Sequence, residues 1–269
     1  MSNKFTTRQL ATRKRGRPSR AESAASNVAP LLTREQILDR ATKLAMVEPL
    51  GDLSMVGLAR EFGVTPALIH YYIGSRDDLI SGVVNRYFKA RIARMSPLTG
   101  DWKADLAQHA HTTFAVMIEY GGVLRYIMSH NRFRLFQQVA PGETDYGLVY
   151  FDRNAEIFRA GGFSAEQAST GYHLLAQYVM AAAYAQVSRQ LPAQHEQYIL
   201  SRLKAKPARQ FPAAHFVAVP FSRLDSVTAF DAGLALLLDG FEGWLKRVPQ
   251  MVKRSAPAAR RPLLAAKNR

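Results

Sequence analysis

Between Ser54 and Leu79 the chain reads SMVGLAREFGVTPALIHYYIGSRDDL, and no other stretch limits the possible folds as much. Leu58 and Ala59 close a short helix, Gly63-Val64 make a corner, and Thr65-Pro66 open a second helix with apolar positions at Ile69 and Ile73. Gly63 can adopt the left-handed backbone that ends a helix sharply. Ala59 is small enough for the second helix to cross closely, and Ile69 folds back onto Leu58 and Val64. A small residue, a glycine four positions on and an aliphatic six further are what a helix-turn-helix needs. The flanks agree: Ser54 and Thr65 are good N-caps, and Pro66 takes the first helical position. Ser75 caps the next helix, with Asp77 and Asp78 in its anion-favouring first turn. A plain hairpin inside an all-α core would carry the same corner.

Charge placement narrows the choice. The chain has 269 residues and a formal net charge of +15, enough length for one large or two modest domains. Residues 1–32 carry Lys4, Arg8, Arg13, Lys14, Arg15, Arg17 and Arg20 against Glu22, a net +6. Residues 249–269 carry Lys253, Arg254, Arg260, Arg261, Lys267 and Arg269 with no acid, again +6. Basic ends on a nearly neutral body point to a polyanion, nucleic acid ahead of a membrane because no amphipathic anchor accompanies them; solubilising tails are the alternative. We expect 1–31 to be a disordered arm and 249–269 a disordered tail. Within the arm, Arg15-Gly16-Arg17-Pro18 is similar to the core of an AT-hook, in which two arginines enter the narrow minor groove of A·T-rich DNA. With no cysteine there is no disulfide framework or thiolate metal site. No signal-length or membrane-length apolar run is present, so a cytoplasmic protein is expected.

Order begins at Leu32, where Thr33 with Gln36 form a capping box and Leu32 with Ile37 a hydrophobic staple. T-x-x-x-I-L-x-x-A-x-x-L from Thr33, followed by L-A-R-E-F-G-V-T-P-A-L-I-H-Y-Y-I-G-S-R-D-D-L, resembles the N-terminal domain of the TetR family of bacterial transcription regulators over residues 33 to about 80. The resemblance implies an all-α homodimer: a three-helix DNA-reading head (32–80) and a helical effector-binding and dimerisation body (81–248). It also implies that Thr65, Pro66, Ala67 and Tyr71 face base edges, and that Ser54, Tyr72, Arg76 and Arg34 hold phosphates. Hydroxyls, arginines and amides at a helix N-terminus suit phosphate oxygens, and Pro66 and Ala67 can offer apolar contact to a thymine methyl. Three positions depart from the family pattern: Ala67 stands where glycine is frequent, His70 where a phosphate-contacting tyrosine is usual, and Ile73 where phenylalanine is common. His70 can still donate to a phosphate or a base. Residues 33–79 hold five basic and seven acidic side chains. A head of net −2 gains little from counterion release, so the arm, with Arg15 and Arg17, is expected to supply that affinity.

Past the head, helices are expected at 76 to about 95, 101–120, after a Gly121-Gly122 break to about His130, 143–160, 164–189 (Ser164 and Gln167 forming another capping box) and 226–248, with 190–224 an irregular insertion containing four prolines and at most one helix, around 194–203. In the family the fourth helix links head to body. The helices 164–189 and 226–248 are expected to pair with their symmetry mates, Ala181 and Ala182 allowing close approach and Leu237, Phe241 and Leu245 supplying burial; both helices belonging to the monomer core is the alternative. An effector pocket between the middle helices would be lined by Phe88, Phe114, Met117, Tyr120, Tyr126, Phe133, Phe136, Tyr150, Met180 and Tyr184, with His173 or Gln177 orienting a small, mostly apolar molecule. Such side chains at helical spacing also make plain core.

No cofactor, metal or catalytic constellation is expected. His109 and His111 stand two apart and diverge on a helix, and no metalloprotease, phosphate-loop, dinucleotide or nucleophile-elbow motif occurs. The expected function is therefore a sequence-specific regulator, most simply a repressor, that binds a near-palindromic operator as a homodimer, is released from it by a small-molecule effector and is nucleoid-associated when bound. Alternatives are the same fold answering to a protein partner, or an architectural binder of A·T-rich DNA.

Overall fold

In the computed structural model, which describes residues 32–130 and 133–252, every regular element is helical. α1 (Arg34–Val47) buries Ile37, Leu38, Ala41 and Ala45. α2 (Met55–Phe62) starts where the Ser54 hydroxyl accepts the Gly57 N–H at 2.9 Å. It ends at Gly63, with φ +64°. There the Val64 N–H reaches the Ala59 carbonyl at 2.9 Å and the Gly63 N–H reaches that of Arg60 at 3.2 Å, the bond pair of a Schellman end. α3 (Pro66–Ile73) buries Ile69 and Ile73; Thr65 stands at its N-cap without a side-chain cap bond. Ser75 and Asp78 then form a reciprocal capping box at the start of α4 (Arg76–Ala93). The Ser75 hydroxyl and amide hold the Asp78 carboxyl below the usual carboxylate range.

α4 continues without a break from the head into the body. Its first half buries Leu79, Ile80, Val83 and Val84, and a methyl at Gly82 would meet Leu38 of α1 at 3.1 Å or less. Asn85 joins α4 to the segment before α7 (Tyr146–Ala160), donating to the Thr144 carbonyl at 2.9 Å and accepting from the Tyr146 N–H at 2.8 Å. That helix starts at Tyr146 rather than near Glu143, because Asp145 caps it and Gly142 turns the chain at φ +84°. α5 (Trp102–Glu119), α6 (Gly121–Ser129), α7, α8 (Ala165–Val187) and α11 (Ser226–Val252) make the rest of the body, with α5 against α8 and α8 against α11. The Ser164–Gln167 capping box opens α8 as expected.

Two expectations need correcting. Residues 190–224 are more regular than expected: besides the helix foreseen around 194–203, here α9 (Glu196–Lys204), they hold a 3₁₀ turn (Pro192–His195) and α10 (Pro212–Ser222). Pro192 and Pro212 occupy first-turn positions, where proline starts a helix instead of breaking one. Pro220 lies inside the last turns of α10. Phe241, placed above at a dimer interface, is only 1% exposed within the single chain. It packs edge-on against Phe158 and beside Trp244. α11 carries apolar residues on more than one side, and Phe241 shares the inward side with Phe230, Leu234 and Leu238. Ala181 is exposed, Ala182 half-buried, Ala183 buried, and Leu237 and Leu245 are half-buried. No described helix is long and apolar enough to cross a membrane.

Candidate DNA-reading helix and ligand cavity

The outer face of α3 follows from its inner one. With Ile69 and Ile73 committed to the core, Thr65, Pro66, Ala67, His70 and Tyr71 all point outward, and Tyr71 is 81% exposed. Tyr72 is half-buried and meets Tyr71 edge-on at 5.3 Å. The His70 Nδ1 lies 2.9 Å from the Gly74 carbonyl, an acceptor that requires the proton on Nδ1. A neutral His70 therefore presents Nε2 as an acceptor, suited to a base amino group; only the charged ring can donate to a phosphate.

The cations expected at phosphates are already engaged. Arg34 pairs with Glu143, and Arg76 donates to the carbonyls of Gly51 and Leu53. Arg40 makes a bidentate pair with Glu61 at 2.6 and 3.1 Å. Arg86 of α4 bridges Glu35 and Asp39 of α1. Ser54 uses its oxygen as a cap and keeps its hydroxyl proton to donate. Arg15 and Arg17 lie outside the described residues.

In the body, α4, α5, α7, α8 and the segment 133–136 enclose a cavity of about 490 Å³. Phe88, Met117, Phe133, Phe136, Tyr150, His173, Gln177 and Met180 lie on its wall. Four expected residues do not. Phe114 stacks on Phe230 of α11 at 4.2 Å, Tyr120 ends α5 beside Tyr87, and Tyr126 stacks on His130 at 3.8 Å. Tyr184 lies further along α8, half-buried and off the wall. Each is aromatic at helical spacing, but spacing does not say which neighbour a face meets.

Sequence reasoning missed the polar end of the cavity. Tyr87, Arg91, His109, Thr113 and Asn154 line it and all are buried. The signal was present: Val84, Tyr87, Phe88 and Arg91 fall on one side of α4, so an arginine interrupts an apolar stripe. Burial, then Arg91 and Arg153, push the His109 pKa down to about 3, so this imidazole is neutral. His111 instead points outward to Asp231, 3.5 Å away, and to Phe230.

α6 carries the cavity wall to the head. Leu124 and Ile127 line the cavity. The same helix presses Gly122 against the last turn of α1, where an added methyl would overlap the Glu48 carbonyl oxygen and lie 2.5 Å from that of Ala45. Arg125 donates to the Val47 carbonyl at 2.8 Å and the Val187 carbonyl at 3.4 Å, tying α1, α6 and α8 at one point.

Comparison with known proteins agrees with this geometry. Residues 96–245 match the family model described as the tetracyclin repressor-like, C-terminal domain. Apo ActR from Streptomyces coelicolor superposes with a TM-score of 0.65 at 26% identity, covering 78% of this chain and 94% of that one. ActR in complex with actinorhodin gives 0.65 at 26% identity, covering 79% and 97%. BioQ from Mycobacterium smegmatis, at 18% identity with a TM-score of 0.54 over 78% and 97%, shares the fold. No curated protein matches the sequence. With over half its length inside that family model, and a helix-turn-helix ahead of it, the chain belongs to the TetR family of transcriptional regulators.

Proposed function

We propose that the protein is a homodimeric repressor that leaves its operator when a small molecule fills the cavity between α4, α5, α7 and α8. The observation that carries this is the shared wall: α4 and α6 line the cavity and also brace α1. A ligand that prefers one separation of these helices shifts the population of head positions. ActR, solved in complex with actinorhodin and with (S)-DNPA, is a relative that binds small molecules. Thr65, Pro66, Ala67, His70 and Tyr71 would read bases, with Ser54 and Tyr72 at phosphates, Arg76 and Arg34 joining them after exchanging their present partners. Domain roles follow: a reading head to about residue 80 and a sensing, dimerising body beyond it. Footprinting on the protein's own upstream region should give one short symmetric site, its halves roughly 34–36 Å or somewhat more apart. Diffuse protection of A·T-rich tracts would defeat the operator reading.

The head's engaged cations leave its non-specific affinity to be supplied from elsewhere, and the 1–31 arm with its RGRP segment is the source we assign. Deleting residues 1–30 should weaken operator binding and flatten its salt dependence, by about 0.9 in the logarithmic slope for each phosphate the arm neutralises. An unchanged slope would remove the arm from the mechanism.

A further inference from the structure

Most arginines of the body and head that are held by a side chain are held by a carboxylate: Arg40 by Glu61, Arg94 by Glu119, Arg134 by Asp77. Arg91 is not. It is 4% exposed, lies on the cavity wall, and among the described residues its hydrogen bonds go only to neutral hydroxyls. Nη1 donates to Tyr87 at 3.2 Å, and Nη2 to Thr113 at 3.2 Å and to Tyr150. The guanidinium carbon sits 3.7 Å from the centre of the Tyr150 ring. Among the described residues Nε has no hydrogen-bond partner, and neither has Nε2 of the buried His109 beside it. Burial pushes the Tyr87 hydroxyl up to about 12, so it supplies no negative charge.

A cation–π contact and three hydroxyls hold the guanidinium in place without neutralising it. A buried charge lacking a counterion is costly, and an unsatisfied Nε–H adds to that cost. Thr113 and Tyr150 share a hydrogen bond at 3.3 Å, which uses one of their two protons; the other, and that of Tyr87, can turn toward an incoming oxygen. Much of the remaining wall is apolar or aromatic, with Phe88, Met117, Leu124, Phe136 and Met180; its other polar side chains are Asn154, Ser169, His173, Gln177 and Arg134, the last already paired with Asp77.

We propose that the ligand is an organic anion, an apolar ring-bearing body with a single oxyanion such as a carboxylate, its charged end seated on Arg91 beneath His109. This rests on the cavity being the effector site and adds the class of molecule it takes. The test uses 1-pyrenebutyrate and its neutral counterpart 1-pyrenebutanol, titrated by fluorescence into the full-length protein at pH 7.5. The anion should bind about ten- to a hundredfold more tightly, the range of a charge-assisted hydrogen bond. Arg91→Met should erase that preference with the neutral probe's affinity nearly unchanged, and Arg91→Lys should keep part of it. If Arg91→Met does not fold, the wild-type comparison still decides, since equal affinities overturn the proposal. Should both probes bind equally and release operator DNA, the cavity reading survives and the anion fails. Should neither bind, the cavity reading falls and takes the anion with it.

Discussion

Gly122→Ala should destabilise the protein by about 3 kcal/mol, the upper part of the range for forced overpacking, and Gly122→Val should leave little folded material. The obstacle is backbone: the added carbon would meet the carbonyl oxygens of Ala45, in the last turn of α1, and of Glu48, just past its end, which cannot rotate aside. Gly121 makes a useful contrast. Its added carbon would meet a Val187 methyl at 2.9 Å, a side chain able to change rotamer, so Gly121→Ala should cost about 1 kcal/mol, the low end of that range. The close approach also brings the N-terminus of α6 to the C-terminus of α1, joining opposite dipole ends. Separating them would loosen the head together with the fold. Urea denaturation of the three proteins side by side measures the costs. A Gly122→Ala midpoint equal to that of the wild type would mean that α6 does not touch α1 as described.

The second large effect separates core from interface on α11. Phe241→Ala should cost about 3–5 kcal/mol, the usual penalty for emptying a buried phenylalanine site, because its ring is enclosed by Phe158 and Trp244. Leu236, 75% exposed on another side of the same helix, and Gly240, which faces open space, offer a surface for a second copy. Leu236→Glu should keep the helical content of the fold but sediment as a monomer. Analytical ultracentrifugation with circular dichroism distinguishes the two outcomes. A dimeric Leu236→Glu, or a Phe241→Ala that is monomeric yet otherwise as stable as the parent chain, would reverse the assignment.

What could be read from the sequence was local chemistry. Ser54, Gly63, Ser75 and Ser164 each perform a capping task that depends on a few adjacent atoms, and the helix-turn-helix follows from them. The apolar face of α3 was equally legible, since Ile69 and Ile73 dictate what remains outside. Tertiary choice was not. Phe114 and Met117 lie on one helix, yet one meets α11 and the other the cavity, and only the placement of neighbouring helices decides between them. α10 was hidden because proline is read as a breaker, whereas at a first-turn position it costs no hydrogen bond. Arg91 escaped because arginine is expected in water; its position in an apolar stripe was the clue, and its significance needed the cavity.

Arg34 is the first residue of α1, and Glu143 precedes the helix that carries Tyr150 to the cavity. If a phosphate oxygen claims this guanidinium, Glu143 must surrender it, so nucleic acid and the segment leading into α7 compete for a single charge. The pair is partly exposed, and the exchange is worth no more than about 1 kcal/mol. With Arg34 at a phosphate, as proposed, reciprocity makes the exchange run both ways: whatever tightens the Glu143 clasp would lower affinity for the operator, and an occupied operator would loosen the segment before α7 by the same amount.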